Sequence, residues 1–375
     1  MINFYAPINY LGYGIHSYNL IKAYSKQFVD EPVSILPPFG NVQWKDTDVE
    51  KWLDNRKNIQ SSDLGVMIFN EPFLSQFSGR KRIGFPVFEM ERFDEISKSM
   101  MRTCDHLLTP SKWGKGVLES ELGQSNIDVV PEGYDPELFY PDYSQDFKMQ
   151  RIEERGLTFI HVGKWEKRKG TVDVLTAFIK AFEGARKKAT LYAWIGNNFN
   201  PNWNKEARQF LEPHVEANNR GELVYERGSA RIVIPHFPKH LSFREMAHMY
   251  READFGIWLS KAEGWNLPLM ECIACGTPAI TTDWTGMSEY LQDYPEELKV
   301  PSCREEIAND NFWFRGDRGS WKIPDTDKAT SMLEAIRDDH EKYLWMEKKC
   351  TESISEFTWD NAAKKLHEVL QRVGG

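Results

Sequence analysis

The sequence is poor in cysteine, with five residues in 375: Cys104, Cys272, Cys275, Cys303 and Cys350. So sparse and odd a set excludes a disulfide framework and fits free thiols in a reducing compartment. Long apolar runs are missing too: none approaches the roughly 20 residues that span a bilayer. The opening MINFYAPINYLGYG has no basic flank followed by an apolar stretch, so no signal peptide is expected. Nor is there an excess of positive charge. Lys and Arg number 47 against 56 Asp and Glu, a net charge of −9, which argues against a protein that mainly coats nucleic acid. Low-complexity tracts and short repeats are absent. What is there is a globular composition, 41% hydrophobic and 27% charged, too apolar for disorder. At roughly 150 residues per domain, the length suits two or three domains. The expectation is a soluble, cytoplasmic protein whose contact with membranes is at most peripheral.

Apolar spacing divides the chain into alternating strands and helices. Residues 2–6 read as a strand, 7–14 as a glycine-bearing loop, and a helix follows from Ile15. Further strands are expected at 33–36, 64–69, 81–85, 106–109 and 128–130, with helices at 48–55 and 112–122. Such alternation implies crossover units and a parallel sheet. Residues 141–156 (PDYSQDFKMQRIEERG) are polar and aperiodic and read as a linker. The alternation restarts with strands at 157–162, 189–195, 223–225, 255–259 and 279–282, and helices at 171–183, 205–217 and 243–252. Residues 359–373 form a last amphipathic helix, capped by Thr358. The reading is α/β: two Rossmann-like domains, 1–145 and 155–357, with parallel sheets facing each other across a cleft.

The most informative segment is EGWNLPLMECIACGTP, residues 263–278. It follows an apolar strand and the short loop Ser260-Lys261-Ala262. Pro268 suits the first turn of a helix and Gly276 its end. The loop ahead of that helix therefore offers unpaired backbone N–H groups and the positive end of a dipole, which favour an anion. Glu263 and Glu271 stand eight residues apart, one in the loop and one in the helix. Carboxylates beside an anion site suit a phosphate that carries sugars, because they accept hydrogen bonds from hydroxyls.

This pattern, E-x7-E with G-x-x-L-P inside and A-C-G-x-P after it, resembles the retaining GT-B glycosyltransferases of the GT4 type (glycosyltransferase group 1). VGKWEKRKG (162–170) is similar to that family's V-G-R-x4-K-G, VPEGYDPELF (130–139) to its V-P-x-G-V-D-x-x-x-F, and LTPSKW (108–113) is a fourth match. The resemblance implies the GT-B fold over the whole chain, with the final helix 358–375 returning to the N-terminal domain. It also implies transfer of a sugar from a nucleotide diphosphate sugar to an acceptor hydroxyl with retention, and no cofactor or essential metal. Glu271 would hold the ribose hydroxyls and Glu263 the donor sugar. Gly163, Gly264 and the amides of Trp265, Asn266 and Leu267 would approach the donor. Lys164 and Lys169 would neutralise the diphosphate. The catalytic set is thus expected to be Glu263, Lys164 and Lys169. Three departures stand out: Lys164 replaces an arginine, Trp265-Asn266 stands where Phe-Gly is usual, and no histidine matches the one many relatives carry in the N-terminal half. His16 and His106 are poor substitutes by position; Glu71, Glu89 and Glu91 read first as exposed carboxylates, with lining of that half of the cleft as the alternative.

Gly12-Tyr13-Gly14 resembles part of a dinucleotide fingerprint, but Ser17 holds the third glycine's place and no acidic residue ends the second strand. In the glycosyltransferase reading this loop faces the donor diphosphate and the acceptor. Asp46-Thr47-Asp48 and Asp325-Thr326-Asp327 look like metal-binding D-x-D pairs, but each precedes a helix and reads as an N-cap. Cys272 and Cys275 lack a second pair at zinc spacing and read as helix packing. His236 and His240 flank Pro238 and do not share a helical face. The basic stretch Arg186–Lys188 reads as solvated. The expected partners are a nucleotide sugar, its base read near residues 231–237, and a glycan or lipid-linked acceptor; the aromatic segment 85–93 reads either as a contact for that acceptor or simply as core. Two alternatives stay open: glycosylation of modified bases in DNA, with only the acceptor face basic, and a sugar- or nucleotide-binding protein without catalysis.

Overall fold

Six short strands, all parallel, make the first sheet of the computed structural model, which describes residues 1–40, 42–142, 144–236 and 241–375. They are β1 (Ile2–Tyr5), β2 (Val33–Ile35), β3 (Leu64–Met67), β4 (Arg82–Gly84), β5 (His106–Thr109) and β6 (Ile127–Val129), in the order β2-β1-β3-β4-β5-β6. The crossovers are α1 (Gly12–Gln27), α2 (Thr47–Asp54), α3 (Glu95–Met101) and α4 (Lys112–Leu122). Side chains fix their starts, as expected of the Asp46 cap: Asp46 accepts from the Val49 amide and Ser111 from that of Gly114.

Helix α1 begins earlier than the apolar spacing suggests, so Gly12, Tyr13 and Gly14 form its first turn instead of a loop. Asn9 is the cause. Its side chain accepts from the Leu11 amide at 2.9 Å, turning the chain into the helix. A Cβ on Gly14 would stand 2.2 Å from the Asn9 carbonyl oxygen, whereas Gly12 faces open space. Gly14 therefore serves this close approach of helix and loop.

The polar stretch read as a linker is a helix, α5 (Gln145–Arg155), capped by Ser144. Ion pairs hold it to the second domain: Arg151 to Glu252 at 2.6 Å, Arg155 to Asp254 at 3.1 Å, and the buried Lys148 to Glu347 at 3.3 Å. Next come β7 (Leu157–Val162), α6 (Thr171–Phe182), β8 (Ala189–Trp194), α7 (Trp203–Leu211), β9 (Val215–Ala217), β10 (Leu223–Arg227), β11 (Ala230–Ile234), α8 (Phe243–Glu252), β12 (Phe255–Trp258), α9 (Leu267–Ala274) and β13 (Ala279–Thr281). The helix expected over 205–217 thus stops at Leu211, and its last residues pair as β9. The second sheet runs β13-β12-β7-β8-β11-β10-β9, parallel except at β10 and β9. Its order reverses between β12 and β7, and a crevice at such a switch point is where open α/β sheets bind ligands. The two strongest motifs, 163–170 and 260–266, are the loops that leave β7 and β12.

A hairpin of β14 (Ser302–Ile307) and β15 (Ser320–Pro324) follows, then α10 (Thr326–Asp338), α11 (His340–Leu344), α12 (Glu347–Ser353) and α13 (Trp359–Gly374). Helix α13 lies on the first domain: Gln27 bonds to Asp360, Gln371 to Glu31 and Arg372 to Asp128. The chain crosses between domains twice, and the crossings bond to each other. Tyr134 donates to the Phe357 carbonyl at 3.0 Å and Trp359 to that of Tyr134 at 3.2 Å. Among the described residues no helix is long and apolar enough to cross a membrane.

Candidate active site

The loop after β12 carries Glu263, 2% exposed. Lys169 donates to both its carboxylate oxygens at 2.8 Å, Arg168 to Oε2 at 2.7 Å and Ser260 to Oε1 at 2.8 Å. Burial opposes this charge, but Lys169 and Arg168 more than offset it and hold the carboxyl at about 2. Glu263 therefore remains an anion. It can accept hydroxyls or face a carbon developing positive charge, and it has no proton to give. Burial in turn lowers the Lys169 ammonium, against the pull of Glu263.

Arg168 is the residue that sequence reasoning missed, because it sits between two other cations. Lys167 turns outward to Glu306 at 3.8 Å, whereas Arg168 turns inward and is buried. It binds Glu263 and the Ala262 carbonyl and reaches Glu89 of the first domain at 3.3 Å. Lys164 and Lys169, both expected to neutralise the diphosphate, have different partners. The Lys164 ammonium lies 3.3 Å from Glu166 and over the Phe199 ring, and Glu166 in turn pairs with Arg168. Gly163 keeps the loop close to the His161 ring, 3.3 Å from an added Cβ.

Asn266, at the start of α9, has φ +82° and ψ +64°. That left-handed conformation is why glycine suits the position and why asparagine, the side chain that tolerates it best, can stand there. Its Oδ1 is buried and has no hydrogen-bond partner among the described residues. The Trp265 side chain packs between Tyr290 and Phe357, so only its backbone faces the crevice loop. Leu267 opens the helix beside it. Gly264 meets the first domain: an added Cβ would lie 2.6 Å from Val87 Cγ1 and 3.0 Å from the Phe88 carbonyl oxygen. On α9, Glu271 is buried against Tyr250, and burial raises its carboxyl to about 8, with Glu132 adding to the rise.

The first domain contributes acids from several loops. Glu71 is raised to about 7, chiefly by burial, with Glu89 adding. Tyr13 donates to the Val87 carbonyl and packs on Phe69. His16 is buried with its Nδ1 3.1 Å from Glu132, a residue hidden at the variable position of the V-P-x-G segment. His106 is elsewhere, paired with Asp128 at 2.7 Å. Glu91 is neither a free exposed carboxylate nor part of the cleft lining. It accepts from the amide and hydroxyl of Ser320 at 2.9 and 3.1 Å, so it fastens the β14–β15 hairpin instead of lining the cleft. Arg318–Asp94 and Arg92–Asp317 pairs strengthen this clasp, and Met90 packs among Ala262, Phe314 and Trp321. The segment 85–93 is therefore largely interdomain packing.

Asp325 caps α10, and Cys272 and Cys275 are buried thiols donating to the Thr277 and Ala247 carbonyls. Among the described residues, His, Cys, Asp and Glu side chains form no group of three or more that could hold a metal. Phe237 and His240, named above for base reading and as a histidine pair, lie outside the described residues.

Residues 156–310, which include both crevice loops, match the family described as Glycosyl transferases group 1. This segment is a group 1 glycosyltransferase domain. The mannosylfructose-phosphate synthase of Agrobacterium fabrum is 24% identical over 190 residues, 50% of this chain and 39% of that protein. The chain thus spans about two fifths of that relative. The lipopolysaccharide 1,2-N-acetylglucosaminetransferase of Salmonella typhimurium is 19% identical over 326 residues, 86% of this chain and 76% of that one. Around the group 1 domain the whole chain has the GT-B fold. The structure of HepE from Anabaena in complex with UDP-glucose superposes with a TM-score of 0.63 at 13% identity, covering 99% of both chains.

Proposed function

We propose that the chain transfers a sugar from a nucleotide diphosphate sugar to a hydroxyl of a glycan or lipid-linked acceptor, with retention, in surface polysaccharide or glycolipid synthesis. One observation carries the reading: a carboxylate, Glu263, is kept ionised by Lys169 and Arg168 in the crevice where the second sheet reverses order. Lys169 spends two N–H groups on Glu263 and retains a third for a phosphate oxygen. A departing diphosphate is stabilised by such fixed cations, and the reading needs no metal. Glu263 faces the donor sugar. Glu271 takes the ribose hydroxyls, and Asn266 and Leu267 present the start of α9 to the phosphates. The Salmonella relative, named for lipopolysaccharide, supports a surface glycan as product, and the HepE complex supports a uridine nucleotide.

The test is a thermal-shift screen of UDP-, GDP-, ADP- and CDP-sugars on the wild type and on Lys169→Ala. A ligand at 100 times its Kd stabilises the native state by about 2.7 kcal/mol. One nucleotide family is expected to raise the wild-type melting temperature and not that of the variant. Glu263→Ala, Glu271→Ala and Lys169→Ala should each collapse turnover without unfolding. Near-wild-type rates in all three, or equal shifts in wild type and variant, would overturn the assignment.

A further inference from the structure

On the outer flank of the 163–170 loop lies a cavity of about 710 Å³, to which Glu263, Glu271 and Lys169 do not contribute. Its volume falls in the roughly 300–1,000 Å³ range of small-ligand sites. Four rings line it: Trp165, Phe199, Phe312 and Trp313. Three of them stay open to water, Phe199 at 39%, Phe312 at 52% and Trp313 at 46% exposed. Trp313 meets Phe199 and Phe312 edge-on, at 5.5 and 4.7 Å between centroids. Rings left wet in one group, at the mouth of a cavity, mark a binding surface, since each has 150–250 Å² to bury.

The rings are fixed before any ligand arrives. The Asn197 side chain accepts from the Phe199 amide at 3.0 Å, and that of Asp310 accepts from the amides of Phe312 and Phe314, both at 2.8 Å. Two separate loops thus hold an aromatic residue two positions beyond a turn-forming side chain. Acceptors stand beside them. Glu206 takes Trp165 Nε1 at 2.8 Å and Asn200 at 3.1 Å on one oxygen, and its other oxygen has no hydrogen-bond partner among the described residues. Four carboxylates (Glu166, Asp173, Glu206, Asp310) and two lysines, Lys167 and Lys261, line the cavity, and Lys164 stands over the Phe199 ring with Glu166 at 3.3 Å. Lys167 and Lys261 are engaged, with Glu306 at 3.8 Å and Asp173 at 3.5 Å. Aromatic faces with carboxylate edges suit a neutral sugar, whose C–H face covers a ring while its hydroxyls donate to the acids.

We propose that this cavity binds neutral carbohydrate, as a second subsite for the glycan chain beside the donor crevice. Its role in holding an acceptor rests on the transfer reading above; its occupancy by sugar does not, so the test contains no donor. Maltohexaose, cellohexaose, mannohexaose and chitohexaose are titrated into the full chain, with saturation-transfer NMR and tryptophan fluorescence as readouts. At least one is expected to bind, with Trp313→Ala and Phe199→Ala each weakening it at least tenfold at unchanged melting temperature, and with saturating UDP leaving it in place. Phe312→Ala is a second probe of the same wall should either variant fold poorly. Three results overturn the proposal: no binding of any hexasaccharide, equal binding in the variants, or displacement by UDP, which would give the cavity to the nucleotide. Should a hexasaccharide bind while nucleotide sugars do not, the transfer reading falls and this one stands; the reverse result fells only this one.

Discussion

Replacing Glu271 by glutamine tests the electrostatics of the crevice most directly. The folded chain holds this carboxyl at about 8 against an ordinary 4.5, through burial first and the nearby Glu132 second. Between those values the native state keeps a proton that the unfolded state releases. Stability therefore falls as pH rises, in full below 4.5 and lost once pH passes 8. At about 1.4 kcal/mol per pKa unit, the full span is on the order of 5 kcal/mol. Glutamine mimics the protonated acid and does not titrate, so Glu271→Gln should match the wild type at pH 4.5 and exceed it by several kcal/mol at pH 9. Urea unfolding followed by tryptophan fluorescence, at half-unit steps from pH 4.5 to 9, measures the difference. Glu71 slopes the same way in both proteins and cancels. A difference that does not change with pH would refute the reasoning. In the proposed role the acid must ionise to accept two ribose hydroxyls, so donor binding near pH 7 should release a proton, detectable by calorimetry in buffers of unlike ionisation enthalpy.

Gly264→Ala should leave each domain folded and yet lower turnover at least tenfold, because the new methyl meets Val87 at 2.6 Å and props the domains apart; an unchanged radius of gyration by X-ray scattering would contradict this. Asn266→Gly should raise stability by about 1 kcal/mol, since a left-handed non-glycine residue costs about 1–3 kcal/mol and its buried Oδ1 has no hydrogen-bond partner among the described residues. Asn266→Ala should lower it, and calorimetric melting temperatures in the opposite order would speak against the strain. Arg168→Ala strands Glu263 and Glu89 with fewer partners and should cost about 3–5 kcal/mol, as read from chemical unfolding. A loss below 1 kcal/mol would show that Arg168 is not the bridge described.

Apolar spacing located β5, β7, α4 and α8 to the residue, because each element buries a regular face. It failed at α5, whose inward face is Lys148 and Ile152, flanked by arginines paired with Glu252 and Asp254. A helix docked by ion pairs leaves no apolar stripe to read. Within the crevice, Glu263 and Lys169 were legible as motif residues, but the side-chain directions of 164, 167, 168 and 169 were not. Of four cations on one loop, Arg168 and Lys169 meet at Glu263 while Lys164 and Lys167 turn to Glu166 and Glu306, a division that the spacing of the residues does not reveal. Glu132 was invisible for a similar reason: its partner, His16, is 116 residues away.

The paired crossings between domains set how the molecule can move. Two strands bonded side by side at Tyr134, Phe357 and Trp359 resist sliding along each other, yet a short ladder twists readily. The two bonds tie the crossings to each other at the point where the chain passes between domains. Gly133 lies at the crossing, where an added Cβ would sit 2.3 Å from the Thr358 carbonyl carbon. In the crevice loop, Gly264 stands against Val87. Both contacts depend on the absence of a single methyl group.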